Sequence, residues 1–283
     1  MPKEFMAFYF RIPSVIPRVI HSILFLLRSL KLQIQGTQKK SVLVLGIYLA
    51  DRDNAIEHIV EELSKSSNYL VDQKWIALFG KAPSLDVSLV TKKIFHTGTP
   101  KYILLNYLLS TTAWRLYDFI IFVDDDIWFP AEFIDDFLEI QQHCDFAVAQ
   151  PARTHNSFIS HVITEQVDGA IARQTRFVEI GPVVSMNQAI ARELLPFDES
   201  TSMGWGFDFV WPKVVETKKM KMGIIDKVPV DHSMRDGGAY YDTVRTNQAM
   251  ELYLSKKDHV KPEEAFVVVK YFYEYNSGFS VEK

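Results

Sequence analysis

The sequence predicts an α/β fold: a mostly parallel sheet with helices on both faces, preceded by an N-terminal amphipathic helical segment. Three observations predict it. Apart from Ser41 and Asp118, Ser41–Ile47 (SVLVLGI) and Tyr117–Val123 (YDFIIFV) have the apolar texture of strands covered on both faces. Between them, Ile56, Ile59, Val60 and Leu63 recur at the spacing of one helix face. From Ser41 to Gln150 the rhythm is strand, helix, strand, helix, strand, which suits a parallel sheet.

The composition agrees with one folded core. Of 283 residues, 48% are hydrophobic and 23% charged, which excludes a disordered chain. The single Cys144 excludes an intramolecular disulfide. A net charge of −4 argues against a general nucleic-acid binder. That total is unevenly spread: residues 1–41 carry seven basic side chains against Glu4 alone, leaving −10 on the rest.

Residues 1–40 read as a basic apolar helical segment. Arg11, Arg18 and Arg28 interrupt it, so its longest uncharged run, Val19–Leu27, falls short of the roughly 20 residues of a membrane span. Basic residues continue through the apolar part and no small-residue cleavage site follows, unlike a secretory leader. Val19, Ile20, Ile23, Leu24, Leu27 and Leu30 fall at helical spacing. An apolar helix fringed with Arg and Lys suits an anionic membrane surface, here the cytoplasmic face. The alternatives are a helix packed on the protein's own core or on another subunit, and a tilted span; the oligomeric state stays open.

Beyond a polar connector, residues 41–283 form the main domain. After the first strand, Asp53 or Asn54 caps a helix over Asn54–Ser67. Lys74–Phe79 and Ser88–Val90 read as strands. Thr99 followed by Pro100 reads as a cap and first helical residue of Thr99–Thr112. Tyr117–Val123 is the strongest buried strand, followed by a helix at Pro130–Gln142 and a strand at Asp145–Gln150. Pro151–Arg176 is weakly patterned and reads as a surface excursion. Then come a strand-like Phe177–Val184, helices at Asn187–Leu195 and Phe207–Lys218, and strands at Met222–Pro229 and Ala265–Tyr273.

Chemistry concentrates at Asp124-Asp125-Asp126, directly after the strongest strand, where open α/β sheets collect ligands. On an extended segment, Asp124 and Asp126 point together and can share one metal site, while Asp125 points away. Adjacent carboxylates suit a hard divalent cation such as Mg²⁺ or Mn²⁺ completed by phosphates. Otherwise they decorate the start of the following helix.

The run FIIFVDDDIWF resembles the DxD motif of GT-A glycosyltransferases, Rossmann-like enzymes that use nucleotide sugars. The resemblance implies that Asp124 contacts the nucleotide ribose and Asp126 the metal, with Asp124 and Asp125 lining the donor. A haloacid-dehalogenase-type phosphatase is disfavoured by Trp128, where that family has Thr or Val. Gly181–Val215 is similar to the β-1,4-galactosyltransferase and chondroitin-synthase type, in which a Phe leads to WGWGGED. Here Phe197 leads to Gly204-Trp205-Gly206-Phe207-Asp208. The likeness makes Asp208 the catalytic base and Gly204, Trp205 and Gly206 acceptor-binding, although the family's Glu-Asp is here Phe207-Asp208, one residue closer to the Trp, so that strict alignment leaves the base open. The alternative for Asp208 is a helix cap.

Asp231-His232-Ser233-Met234-Arg235-Asp236-Gly237-Gly238 resembles the histidine segment of the same enzymes. His232 would then be a further metal ligand, and Arg235 would offset diphosphate charge. Asp51, Arg52, Lys101 and Asn106 are donor-side candidates; Tyr240 joins the acceptor set. Similarity to a family of GT-A-like proteins of plants and bacteria covers roughly Ser41 to Asp242, giving a nucleotide-sugar half (41–150) and an acceptor half (151–283). The implied activity is metal-dependent transfer of a sugar, UDP-linked, to a glycan or lipid-linked hydroxyl in polysaccharide biosynthesis. A base at Asp208 implies inversion; without it, retention reopens. The alternatives are a sugar nucleotidyltransferase, whose Gly- and Lys/Arg-rich loop LGIYLADRDN lacks, or a non-catalytic membrane-docked glycan-assembly protein.

Overall fold

The structure is a computed structural model that describes residues 39–201, 203–235 and 242–273. The strands are β1 (Lys40–Leu49), β2 (Tyr69–Leu78), β3 (Thr91–Phe95), β4 (Phe119–Val123), β5 (Phe146–Arg153), β6 (Ala172–Thr175), β7 (Val183–Asn187), β8 (Lys221–Val230) and β9 (Val268–Phe272). The helices are α1 (Ile56–Ser64), α2 (Leu85–Val90), α3 (Lys101–Ser110), α4 (Phe133–His143), α5 (Gln188–Leu194), α6 (Phe207–Thr217), α7 (Thr243–Leu254) and α8 (Pro262–Ala265). Among the described residues the strands form one mixed sheet in the order β3-β2-β1-β4-β7-β5-β8-β6-β9. The parallel expectation holds for β3-β2-β1-β4 and for β5-β8. Strand β7 runs antiparallel to both β4 and β5, and β6 to both β8 and β9.

The chain order reverses between β1 and β4, because β2 and β3 extend outward from β1 before β4 returns to its other side. A crevice opens at the carboxyl ends of strands at such a switch point. Alternate residues of these strands serve opposite layers. Val42, Val44, Ile121 and Val123 pack with Ile56, Ile59 and Leu63 of α1 and with Phe133 and Phe137 of α4. On the opposite face Phe122 meets Phe197, whose ring also meets Tyr102 of α3 and Phe207 and Trp211 of α6.

Four local expectations are corrected. Ser88–Val90 belongs to helix α2, and the strand is the following Thr91–Phe95. Three residues, Ser-Leu-Val, are too few to distinguish helix from strand. Pro100, rather than Thr99, occupies the cap position of α3, its carbonyl accepting from Leu104 N at 3.2 Å. Pro151–Arg176 is no surface excursion: it holds the end of β5 and all of β6, and buries Thr164 and Arg173. Arg173 was the disguise, for its guanidinium forms a two-pronged pair with Asp226 (3.0 and 2.8 Å) and donates to the carbonyls of Ile163 and Glu165. The strand near Phe177 begins only at Val183. Helix α7, capped by the Asp242 side chain on Arg245 N, had no counterpart in the sequence pattern. Residues 1–38 of the N-terminal segment expected at the membrane lie outside the described residues, and Lys40 already belongs to β1. No described helix is long and apolar enough to cross a membrane.

Candidate active site

The three aspartates follow β4 at the switch point. The chain bends at Asp125 and Asp126, so the strict alternation of an extended segment ends there. Asp124 takes the Lys101 ammonium at 2.5 Å, and its backbone N–H donates to the Pro182 carbonyl at 2.8 Å. Asp125 is buried, accepting from Leu49 N at 2.6 Å and pairing with Arg235. Burial pushes its carboxyl up to about 6, against the opposing pull of Arg235. Asp126 meets the same guanidinium through Nε at 3.2 Å. The expected split is therefore replaced: Asp125 and Asp126 share Arg235, while Asp124 sides with Lys101.

Helix α1 holds this loop from below. His58 Nε2 accepts from Phe129 N at 3.0 Å, and one turn on, the buried Glu62 accepts from Glu132 N at 2.7 Å. Ala55 N donates to the Asp125 carbonyl at 2.6 Å.

The histidine segment is tied to the aspartate loop by a two-bond antiparallel bridge. Trp128 N donates to Asp231 O at 2.9 Å and Asp231 N to Trp128 O at 3.1 Å. This bridge delivers His232, whose Nε2 lies 3.4 Å from Asp126 Oδ1. Ser157 Oγ accepts from His232 N at 2.9 Å, and Phe158 N donates to the His232 carbonyl at 3.1 Å. Burial would raise Asp126, but His232 and Arg235 outweigh it and hold the carboxyl below its ordinary range. Asp126 Oδ1 is buried without a hydrogen-bond partner. An orphan carboxylate oxygen facing an imidazole nitrogen at this separation fits two adjacent positions on a divalent ion, whose remaining positions would stay open to oxygens. Among the described residues no larger set of His, Cys, Asp or Glu converges on one point.

Asp208 stands in the first turn of α6, 7% exposed. Burial, then the charge of Glu179, pushes its carboxyl up to about 7, despite the backbone N–H groups of Asp208, Gly206 and Phe209 facing it. Its Oδ1 has no partner. Gly204 and Gly206 take left-handed φ values of +80° and +98°, a region open to glycine at no steric cost. A Cβ at Gly204 would overlap the Tyr102 ring, and one at Gly206 would crowd Tyr253 at 3.1 Å. The close approach those glycines permit is thus to the protein's own aromatic side chains. Trp205 is half-buried between them.

Asp51 and Arg52 pair with each other at 3.2 Å in the loop after β1. Asn106 is spent on Phe197, donating to its carbonyl and accepting from its N–H, both at 2.9 Å. Tyr240 lies outside the described residues. Sequence reasoning missed Glu179, a buried acid two residues before Gly181, whose carboxylate pairs with Arg153 and whose N–H donates to Gln150 Oε1. An acid in an apolar run leading to Gly-Pro was the available signal. It missed Tyr102 and His58 too, which look like ordinary helix residues.

No family model matches the chain, and no curated protein matches it. Among solved structures it is similar to GalNAc-T7 in a crystal structure with UDP, GalNAc and Mn²⁺, at 10% identity and a TM-score of 0.51. That match covers 76% of this chain and 48% of the other. TarS of S. aureus (residues 1–349) in complex with UDP-GlcNAc gives 13% identity and a TM-score of 0.47, covering 75% and 65%. The chain spans less than two thirds of either protein. Its fold is the GT-A fold of nucleotide-sugar glycosyltransferases.

Proposed function

We propose that this protein is a glycosyltransferase that moves a sugar from a nucleotide-sugar donor to an acceptor hydroxyl. The observation that carries the reading is the meeting of Asp126 and His232 across the Trp128–Asp231 bridge, at the switch point of a GT-A fold. Asp126 and His232 would hold Mn²⁺ or Mg²⁺, which would neutralise charge on the departing diphosphate. Asp124, beside Lys101, would face the donor, and Arg235 would offset the charge of its diphosphate. Asp208 takes the proton of the acceptor hydroxyl, a task suited to a carboxyl whose proton affinity lies near neutrality. A base opposite the leaving group gives inversion.

The UDP in the crystal structure of GalNAc-T7 supports a UDP-linked donor. The basic, apolar residues 1–40 support a peripheral place on an anionic cytoplasmic membrane face and a glycan or lipid-linked acceptor. The test is a thermal-shift scan of the full chain against nucleotide sugars, with and without Mn²⁺. A UDP-sugar should raise the melting temperature more when Mn²⁺ is present, and Asp126→Ala should remove that difference. No metal-dependent shift with any nucleotide would overturn the reading.

A further inference from the structure

The two candidate metal ligands are held in different ways. His232 is placed by its backbone, through Ser157 Oγ and Phe158 N. Around Asp126 the neighbouring backbone is bonded: the Asp125 carbonyl accepts from Ala55 N, and Trp128 is bridged to Asp231. Asp126 itself makes no backbone hydrogen bond with a described residue. Its carboxylate is oriented by a side chain, Arg235, whose Nε donates to Oδ2 at 3.2 Å. Oδ1 is left without a hydrogen bond, 3.4 Å from His232 Nε2.

Arg235 is anchored in turn. Its Nη2 donates to Asp125 Oδ1, and Asp125 Oδ2 accepts from the N–H of Leu49, the last residue of β1, at 2.6 Å. On its own segment, Ser233 N donates to Asp231 Oδ1 at 2.9 Å just past the bridge, and Met234 packs against the apolar core. One line of contacts therefore runs from the end of β1 through Asp125 and Arg235 to Asp126. A guanidinium suits the middle of that line, because its planar fork of donors holds two carboxylates at a fixed angle. Asp125 is the acid that strict alternation left without a task, and it is the most buried of the three.

We infer that Asp125 and Arg235 are positioning residues of the metal site: together they turn Asp126 so that one oxygen faces His232 and the divalent cation between them. These roles rest on the reading of Asp126 and His232 as the metal pair. They give Asp125 a part in metal binding although it touches Arg235 and Leu49 instead of the ion. Carboxylates that bind metals are commonly held by such outer partners, whose loss weakens the metal about 10- to 100-fold. The sign of the effect separates orientation from charge. By charge alone, removing Arg235 would tighten a cation and neutralising Asp125 would loosen it. By orientation, both changes loosen it.

The experiment is Mn²⁺ binding to the full chain without nucleotide, read from the free-ion EPR signal. The pH is held well above the value of about 6 to which burial pushes Asp125. Asp125→Asn and Arg235→Met should each weaken Mn²⁺ binding about 10-fold or more. Arg235→Lys, which keeps the charge but lacks the fork, should weaken it nearly as much. The double variant Asp125→Asn/Arg235→Met alters no net charge and should lose no more than the worse single variant, because the two residues form one link. It also serves where the stranded Asp125 of Arg235→Met prevents folding, which thermal unfolding reports. Mn²⁺ bound as tightly as by the unaltered chain, or more tightly, in folded Arg235→Met or in the double variant would overturn the inference and leave the Asp126–His232 pair standing. If the unaltered chain shows no Mn²⁺ binding that Asp126→Ala removes, the metal reading falls and these positioning roles fall with it.

Discussion

Strands β3, β2, β1 and β4 meet their helices mainly through aliphatic and aromatic side chains, with the neutral Gln73 of β2 donating to Val60 O of α1, whereas β5, β6, β8 and the segments around them bury the charged Arg153, Arg173, Glu179, Asp208 and Asp226. Both regions belong to one sheet, yet they are stabilised in different ways. Apolar burial is non-directional and tolerates small changes of shape. Buried ion pairs demand geometry, and each partner is a liability once the other is removed. Glu179 is paired with Arg153 in this way, whereas the buried Asp208 has no ion-pair partner among the described residues. Asp125 stands on the seam, fastened to the end of β1 and to Arg235 after β8.

The comparison breaks first at Asp208. Asp208→Asn should cut turnover about 10²- to 10⁴-fold while sparing donor binding. In the unaltered protein, turnover should rise with pH through about 7, since the base must be unprotonated. Steady-state kinetics across pH check both, and unchanged turnover would reduce the charged region to scaffolding. The same group ties stability to pH. Folded Asp208 keeps its proton to about 7 against an ordinary 3.8, so its contribution is full below the lower value and lost as pH climbs to the higher. Asp208→Asn should therefore gain stability relative to the unaltered protein between those limits and level off above them.

Next in size is Asp226→Asn, expected to cost about 3–5 kcal/mol in urea denaturation by stranding Arg173. The double variant Arg173→Met/Asp226→Leu should recover most of that. Gly204→Ala should cost about 1–3 kcal/mol, from left-handed strain and displacement of Tyr102. The smallest effect belongs to the apolar region, where Ile59→Val under β1 should cost about 1 kcal/mol. If Ile59→Val proved as damaging as Asp226→Asn, the two regions would not differ as described.

What the sequence disclosed follows the same division. Strands β1 and β4 were legible because, beyond Lys40 and Ser41, nothing but apolar residues fills them, and β4 led directly to the aspartates. The order of the Asp, Gly-Trp-Gly and His segments anticipated that Asp126 and His232 would meet. Strand β6 (ARQT) was illegible, since Arg173 reads as a surface residue until Asp226, 53 positions on, is placed beside it. Glu179 was hidden for the same reason, its partner Arg153 being 26 positions away in a segment without pattern. Periodicity records which way a side chain faces, and says nothing of a charge cancelled from elsewhere in the chain.

The bridge between Trp128 and Asp231 also has a consequence for biosynthesis. During translation the three aspartates leave the ribosome well before the cation that will sit on two of them, for Arg235 lies 109 positions beyond Asp126. Lys101 is already present to serve Asp124, but Asp125 and Asp126 must wait for β8 to settle beside β5. Long-range pairing of this kind forms late. The aspartate loop should therefore gain its final shape only when nearly the whole sheet exists, and Trp128, 46% exposed at the joint, is placed to report that moment by its fluorescence.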